Sequence, residues 1–525
     1  MTMSPFQIGA MAGHRPQEHI FTIKSIISYY QRDGKGLILC LYDISKFFDR
    51  ENLRDCMNEL YKLGVKGKVY RLLFNLNQSN NITVKTPVGR TDTASVKECL
   101  GQGTNEGAII SAVNLAGGIE DKFIDRSDEV QYNNLTLAPC IFQDDVARIA
   151  DNLESVQKGN NKMEEMAEEK LLDFNLDKSC FLLVGSKKFR NKMKAEILDK
   201  PIMFCGKEMK LVESERYLGD LIGNSLGESV FKTVQMRRGL CKRLISEIKV
   251  TLEDCRVNVA GGLSTGLDIW NLAVLPYLLG NSECWVEIPK KAMNILNSIQ
   301  NDFFRCLFST PTGTPISAFY WDTGSLLIEN HIIQRKLNFL HHLVTLPDSS
   351  LAKKIYTIQK ENALPGLVKE CEEHLIILGI FGDPALYTKY QWKKLIKNKV
   401  HAKNKSDLLI QIKDYKKLEY EKIISEEYGM KAYINAMTVT RARMFFAIRT
   451  QMVRTVQYNY RNKPEYRENN YLCRCGEEDR QSHLLGHCDV YSFCTEGLDL
   501  SVPADLVTLF QRIINEREKE EGNRK

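Results

Sequence analysis

The sequence predicts an α+β fold in which helices pack on an antiparallel sheet. Three stretches predict it. "GLILCLYD" (36–43) is a near-continuous apolar run ending in an acid, which suits a strand buried on both faces. Residues 81–99 alternate around "TPVGRT", and "PCIFQDDVARIA" (139–150) places two short apolar arms around adjacent aspartates; both read as hairpins.

Between these stretches the apolar spacing is helical. Leu53, Met57, Leu60 and Tyr61 mark a helix over 50–63, and Val69, Leu72, Leu73 and Leu76 mark one over 67–78. Residues 107–124 and 151–174 read as two further helices, the second with glutamates facing water, followed by short strands up to "RYLGDLIG" (216–223). Long helical segments follow, with no strand run until about residue 470, and include the lysine-rich "KYQWKKLIKNKVHAKNK" (389–405). The closing "NEREKEEGNRK" reads as a solvated tail.

The 525 residues, 43% hydrophobic and 26% charged, suffice for several domains of about 100 to 200 residues each. A net charge of +6 over 72 basic and 66 acidic residues permits nucleic-acid binding without announcing it. Cys40, Cys140, Cys180 and Cys205 sit singly in apolar runs, as the reduced thiols of an intracellular protein do. No apolar run reaches the ~18 residues of a membrane span. A soluble chain of the nucleus or cytoplasm, without membrane partners, is expected.

Adjacent acids such as Glu164/Glu165 and Glu372/Glu373 lie in polar helical contexts and read as solvated faces. Asp144 and Asp145 differ, because "CIF" precedes them and "VARIA" follows. Two carboxylates held near a core raise each other's pKa unless cations neutralise them. A divalent metal site explains them, and a turn capped by aspartates is the alternative. Asp43, at the end of the buried run, is the best third acid for a two-metal site that activates one oxygen and stabilises another.

"YDISKFFD" (42–49), "GQG" (101–103), "FQDD" (142–145), "NLDK" (175–178) and "YLG" (217–219) follow one another in an order that resembles the motif series of reverse transcriptases, most closely those of non-LTR (LINE-type) retrotransposons. The resemblance implies a right-hand polymerase palm with partial fingers, then a helical thumb, a helical basic region and a zinc knuckle. It implies RNA-directed DNA synthesis from dNTPs on an RNA template and a DNA primer or target. Asp43, Asp144 and Asp145 would hold two Mg²⁺ ions, to which hard oxygen ligands are suited. Lys178 would neutralise or protonate the leaving pyrophosphate. Phe48 would exclude a 2′-hydroxyl, Gln102 and Gly103 would line the nucleotide and template pocket, and Tyr217, Leu218 and Gly219 would form the primer grip.

On this scheme residues 1–35 are a remnant of the fingers, 36–223 the palm, 224–345 the thumb, 346–470 the basic connection, 471–495 the knuckle and 496–525 a charged tail. "FQIGAMAGHRPQEHIF" (6–21) matches the family's second motif in part, Gly107-Ala108 stand where Ser-Pro is usual, and Gln143 replaces a commoner alanine. An N-terminal truncation is expected, with strand cutting left to an endonuclease on another chain or a missing portion. A two-metal nuclease and a non-catalytic nucleic-acid-binding remnant are the competing readings.

"YLCRCGEEDRQSHLLGHC" (471–488) carries Cys473, Cys475, His483, His487 and Cys488. Four soft ligands at this spacing read as a structural Zn²⁺ site. On a continuous helix His483 and His487 share a face, which leaves the fourth ligand open between His487 and Cys488. The resemblance implies a CCHC knuckle, hence Cys488 and a helix that ends or bends near Gly486. With Lys393, Lys394, Lys397, Lys399, Lys403 and Lys405 it would contact template or target, a solvated helix face being the alternative for the lysines.

Overall fold

The computed structural model describes residues 4–97, 100–101, 104–254, 258–310, 313–413, 427–453, 472–485 and 488–522. The chain divides into two compact units. The first comprises Met1–Thr233, Gly280–Lys290 and Ile333–Ile396; the second comprises Val234–Leu279, Lys291–Ile332 and Lys397–Lys525.

In the first unit the elements that position the site are, in order, α1 (Pro16–Arg32), β1 (Leu37–Tyr42), α2 (Leu53–Lys62), α3 (Gly67–Asn77), α4 (Asn105–Lys122), β2 (Cys140–Phe142), β3 (Asp145–Ala150), α5 (Leu153–Lys170), β4 (Cys180–Val184), α6 (Lys187–Asp199) and β5 (Lys210–Val212). Five strands form one sheet in the order β5-β4-β1-β3-β2. The central strand β1 is antiparallel to both neighbours, with Leu41 opposite Cys180 on one side and Ala147 on the other. All six of its residues are buried. Ile38, Cys40 and Tyr42 pack in one cluster with Leu115 and Ile119 of α4 and Val156, Met163 and Met166 of α5.

Two features depart from the sequence reading. The edge strand β5 runs parallel to β4. Residues 187–199, expected among short strands, form α6, whose N-cap Ser186 accepts from the Phe189 amide and whose Met193 and Ile197 are buried. The expected hairpin at 81–99 is present, pairing Ser79–Ile82 with Ala94–Lys97 and then Lys85–Thr86 with Gly89–Arg90. Cys40, Cys140 and Cys180 are buried free thiols. Burial pushes them up to about 11, 12 and 12 respectively.

The second unit is built from helices around stacked aromatics. Trp270 lies 4.4 Å from Phe303, and Phe446 lies 4.2 Å from Phe308 and 5.1 Å from Phe319. Residues 496–525, expected as a charged tail, instead contain the helix Pro503–Gly522, which buries Val507, Leu509, Phe510 and Ile513 and packs on Val439–Arg449. The charged end of the segment masks the apolar spacing that precedes it. In the helix Lys389–Lys413, whose residues to Ile396 belong to the first unit and the rest to the second, Trp392, Ile396, Val400 and Leu408 are buried, Lys393, Lys394, Lys397 and Lys405 are exposed, and Lys403 pairs with Asp407 at 2.6 Å. No described helix is long and apolar enough to cross a membrane.

A buried ion pair ties α1 to the hairpin Ser214–Tyr217/Asp220–Gly223. Lys24 Nζ lies 2.5 Å from Asp220 Oδ2, and Asp220 Oδ1 also accepts from Thr233 Oγ1 at 3.1 Å and Trp285 Nε1 at 3.3 Å. Removing one partner of such a pair leaves an uncompensated buried charge. Asp220→Ala is expected to destabilise the first unit by about 3–5 kcal/mol, read as a lower urea midpoint, whereas Lys192→Ala at the exposed face of α6 should shift it little.

Candidate active site and metal centre

The register of the sheet brings two acids abreast. Tyr42 pairs with Val146 and Phe142 with Asp145, so Asp43, one residue past β1, stands beside Asp145 at the start of β3. The Asp43 amide donates to Ser179 Oγ at 3.1 Å, and its carbonyl accepts from the Asn175 amide at 2.8 Å. Asp144 occupies the two-residue turn between β2 and β3, where Gln143 has φ +57°.

Buried Gln7 holds that turn. Its Oε1 accepts from the Gln143 amide at 3.1 Å, and its Nε2 donates to the Gln143 carbonyl at 3.2 Å. A Cβ at Gly9 would lie 2.3 Å from the Gln143 nitrogen, so only glycine fits. Phe6 and Ile8 complete the support through backbone bonds to Ile141. The sequence reading did not single out Gln7 or Gly9; the signal was the "FQIG" segment itself.

A cleft of about 220 Å³ opens here, lined among others by Asp43, Asp145, Asp177, Lys178, Glu215 and Tyr217. Lys178 Nζ reaches Asp43 Oδ2 at 3.5 Å and is largely exposed. Desolvation, and then the charge of Asp43, raises Asp144 above the usual carboxylate range. Desolvation, and then the charges of Asp144 and Asp43, pushes Asp145 up to about 6, with Lys178 opposing. A bound cation would favour the charged forms and offset the mutual repulsion. Asp43 and Asp145 line the cleft and offer hard oxygen donors of the kind Mg²⁺ takes, whereas Asp144 does not line it; among the described residues only the Cys/His group below has its ligand atoms gathered for a metal.

Tyr217 is buried and lines the cleft, and its hydroxyl has no hydrogen-bond partner among the described residues. Leu218 and Gly219, at φ +46° and +84°, form the turn after it, and the Leu218 carbonyl accepts from Asn281 Nδ2 at 3.0 Å. Phe48 is half-buried between two apolar clusters, with its ring 5.5 Å from that of Phe47, and does not line the cleft. Gln102 and Gly103 lie outside the described residues.

A second centre sits in the second unit. The ligand atoms of Cys473, Cys475, His483 and Cys488 all lie within 4.8 Å of one another. Cys488 Sγ is 3.6 Å from Cys473 Sγ and 3.8 Å from Cys475 Sγ, and Cys475 Sγ is 3.0 Å from His483 Nε2. Tetrahedral zinc with sulfur at about 2.3 Å sets sulfurs about 3.8 Å apart, so the donor set fits Zn²⁺. The helix Gln481–Leu484 ends just before the expected bend; Gly486 and His487 lie outside the described residues. Arg517 of the Pro503–Gly522 helix braces the module, pairing with fully buried Asp479 at 2.7 and 3.1 Å. Gln481 Nε2 ties it to the Ile448 carbonyl at 2.7 Å.

No family model and no curated protein matches the chain. Among solved structures it is similar to a telomerase from Candida albicans in complex with a TWJ fragment of telomeric RNA, with TM-score 0.32 and 14% identity over 67% of this chain and 52% of that one. It is also similar to a telomerase from Candida tropicalis in complex with the same kind of fragment, with TM-score 0.30 and 11% identity over 75% of this chain and 53% of that one. The chain thus spans about half the length of each.

Three outcomes are expected. The folded Asp145 carboxyl holds its proton more tightly than an unfolded one, so its cost to stability is absent below the ordinary value of 3.8 and full above about 6. Asp145→Asn should therefore raise the metal-free melting temperature at pH 7 only slightly, by about one degree, because the exposed carboxyl is screened by solvent, a gain that fades as the pH falls toward 4. Mg²⁺ should raise the wild-type melting temperature but not that of the variant. Independently, metal analysis should find one zinc per chain, lost in Cys475→Ser.

Proposed function

We propose that this chain is an RNA-directed DNA polymerase of the non-LTR retrotransposon type. The observation that carries the reading is the strand register that sets Asp43 beside Asp145, with Asp144 in the adjoining turn and Lys178 3.5 Å from Asp43. The ordered motifs from "YDISKFFD" to "YLG" support it, since a nuclease needs neither the Gln-Gly segment nor the aromatic at position 48.

On this reading Asp43, Asp144 and Asp145 hold two Mg²⁺ ions. The ions would activate the primer 3′-hydroxyl and stabilise the pyrophosphate leaving from the incoming dNTP. Lys178, 3.5 Å from Asp43, stands at the mouth of the cleft, where its ammonium can neutralise or protonate pyrophosphate. Gln7 and Gly9 hold the acidic turn in register, and Tyr217, Leu218 and Gly219 grip the primer end. Gln102 and Gly103 would line the nucleotide pocket, and Phe48, which packs outside the cleft, takes the sugar-selecting role on the strength of the resemblance alone. Residues 36–223 serve as palm, 224–345 as thumb, 346–470 as a basic connection and 471–495 as a knuckle contacting RNA template or target DNA.

Primer extension tests the proposal, using an RNA template, a DNA primer, Mg²⁺ and dNTPs. The wild type should extend the primer, and Asp144→Ala, folded by circular dichroism, should lose at least about 100-fold in rate. A wild type without extension, or a fully active variant, sinks the reading.

A further inference from the structure

Away from the acidic cleft, α6 and the edge of the sheet enclose a second cavity of about 270 Å³, lined by residues that include Lys187, Arg190, Asn191, Lys194, Glu213 and Asn224. It adjoins Leu183, near the end of β4 that pairs with Leu37, whereas the acids lie by the end that pairs with Leu41. Four residues of strand separate the two ends, about 13 Å.

The helix is sorted by chemistry around its circumference. Phe189, Met193 and Ile197 turn toward the core. Lys188 and Lys192 fall on the solvent side, where Lys192 pairs with Glu196 at 3.7 Å. Lys187, Arg190, Asn191 and Lys194 stand at i, i+3, i+4 and i+7 and share the cavity face. Among the described residues, none of the three cations on this face has a carboxylate partner within ion-pair distance. Half-buried Arg190 is held in place: oriented to satisfy both neighbours, the Asn224 amide donates to the Leu183 carbonyl and accepts from Arg190 Nη1, each at 3.0 Å. A fixed guanidinium between two ammonium groups is preorganised for phosphate oxygens. Lys187 and Lys194 are seven residues apart, about 10.5 Å of helix, about three times the 3.4 Å axial spacing of successive charges on one strand.

We infer that this cavity binds the phosphodiester backbone of a nucleic-acid strand at a site separate from the catalytic cleft. The inference deepens the polymerase reading and rests on it for which strand arrives there. Among the described residues Glu213 is the only carboxylate lining the cavity, so it opposes the ligand.

Fluorescence anisotropy of the full chain tests the site, without Mg²⁺ or nucleotides, against single-stranded RNA, its DNA counterpart and their hybrid duplex. Lys187→Gln/Lys194→Gln should weaken binding about tenfold and lower the slope of log affinity against log salt by about 1.4 for a single strand, 0.7 for each phosphate no longer neutralised. Lys188→Gln/Lys192→Gln removes the same charge from the solvent side of the same helix and should change neither. Glu213→Gln should tighten binding. The probe whose affinity falls most identifies the strand. Equal weakening in both double variants, or no weakening on any probe, overturns the site. Primer extension by the wild type together with unchanged binding in Lys187→Gln/Lys194→Gln defeats this inference and leaves the polymerase reading standing. Strand binding that depends on the cavity pair without any extension does the reverse.

Discussion

The registration of β1 between β3 and β4 is the constraint on which the candidate site depends. Side chains alternate across a strand, so a slip of one residue on either side would turn Asp43 away from Asp145. Both faces of β1 are packed, so a slip would drive each side chain into space shaped for its neighbour. The placement of the acids is thus enforced by apolar packing several residues away, and beyond the Asp43–Lys178 pair the acids contribute little to it. They repel one another, and the sheet holds them together regardless.

Support for the acidic turn comes from three directions. The 175–179 turn fixes the backbone of Asp43, Gln7 and Gly9 fix Gln143, and buried Tyr217 closes one wall. The knuckle follows a similar logic on a smaller scale. Its ligands come from a short segment, but Asp479 and Gln481 anchor that segment to helices distant in sequence. In both candidate centres the acids or ligands are few, and the residues that hold them still are spread along the chain.

What the sequence made legible follows from how local each signal is. The strand at 36–43, the acidic hairpin and the four soft ligands are short, dense patterns, and their residues lie together in the structure. Asp43 could be matched with Asp144 and Asp145 because an apolar run ending in an acid is distinctive. Gln7 and Gly9 were invisible as supports, because their roles exist only once a strand from one end of the chain lies beside β2. Helix α6 was missed because its polar residues outnumber the apolar ones at Phe189, Met193 and Ile197, and the closing helix was missed because charge dominates its last turns. Phe48 packs between apolar clusters, the bland alternative for a lone aromatic, and its proposed role rests on the resemblance.

The three strand cysteines give the sheet a chemical clock. Cys40, Cys140 and Cys180 are buried in β1, β2 and β4, with their thiols held protonated by desolvation. A thiolate is the species that alkylating reagents capture, so these sulfurs become reactive only when the strands part. Cys205 is exposed in a tight turn, but partial desolvation and the charges of Glu164 and Glu168 push its thiol up to about 11 as well, so it differs from the strand thiols by access alone. Successive rates of thiol modification therefore report how often the sheet opens, without any added label.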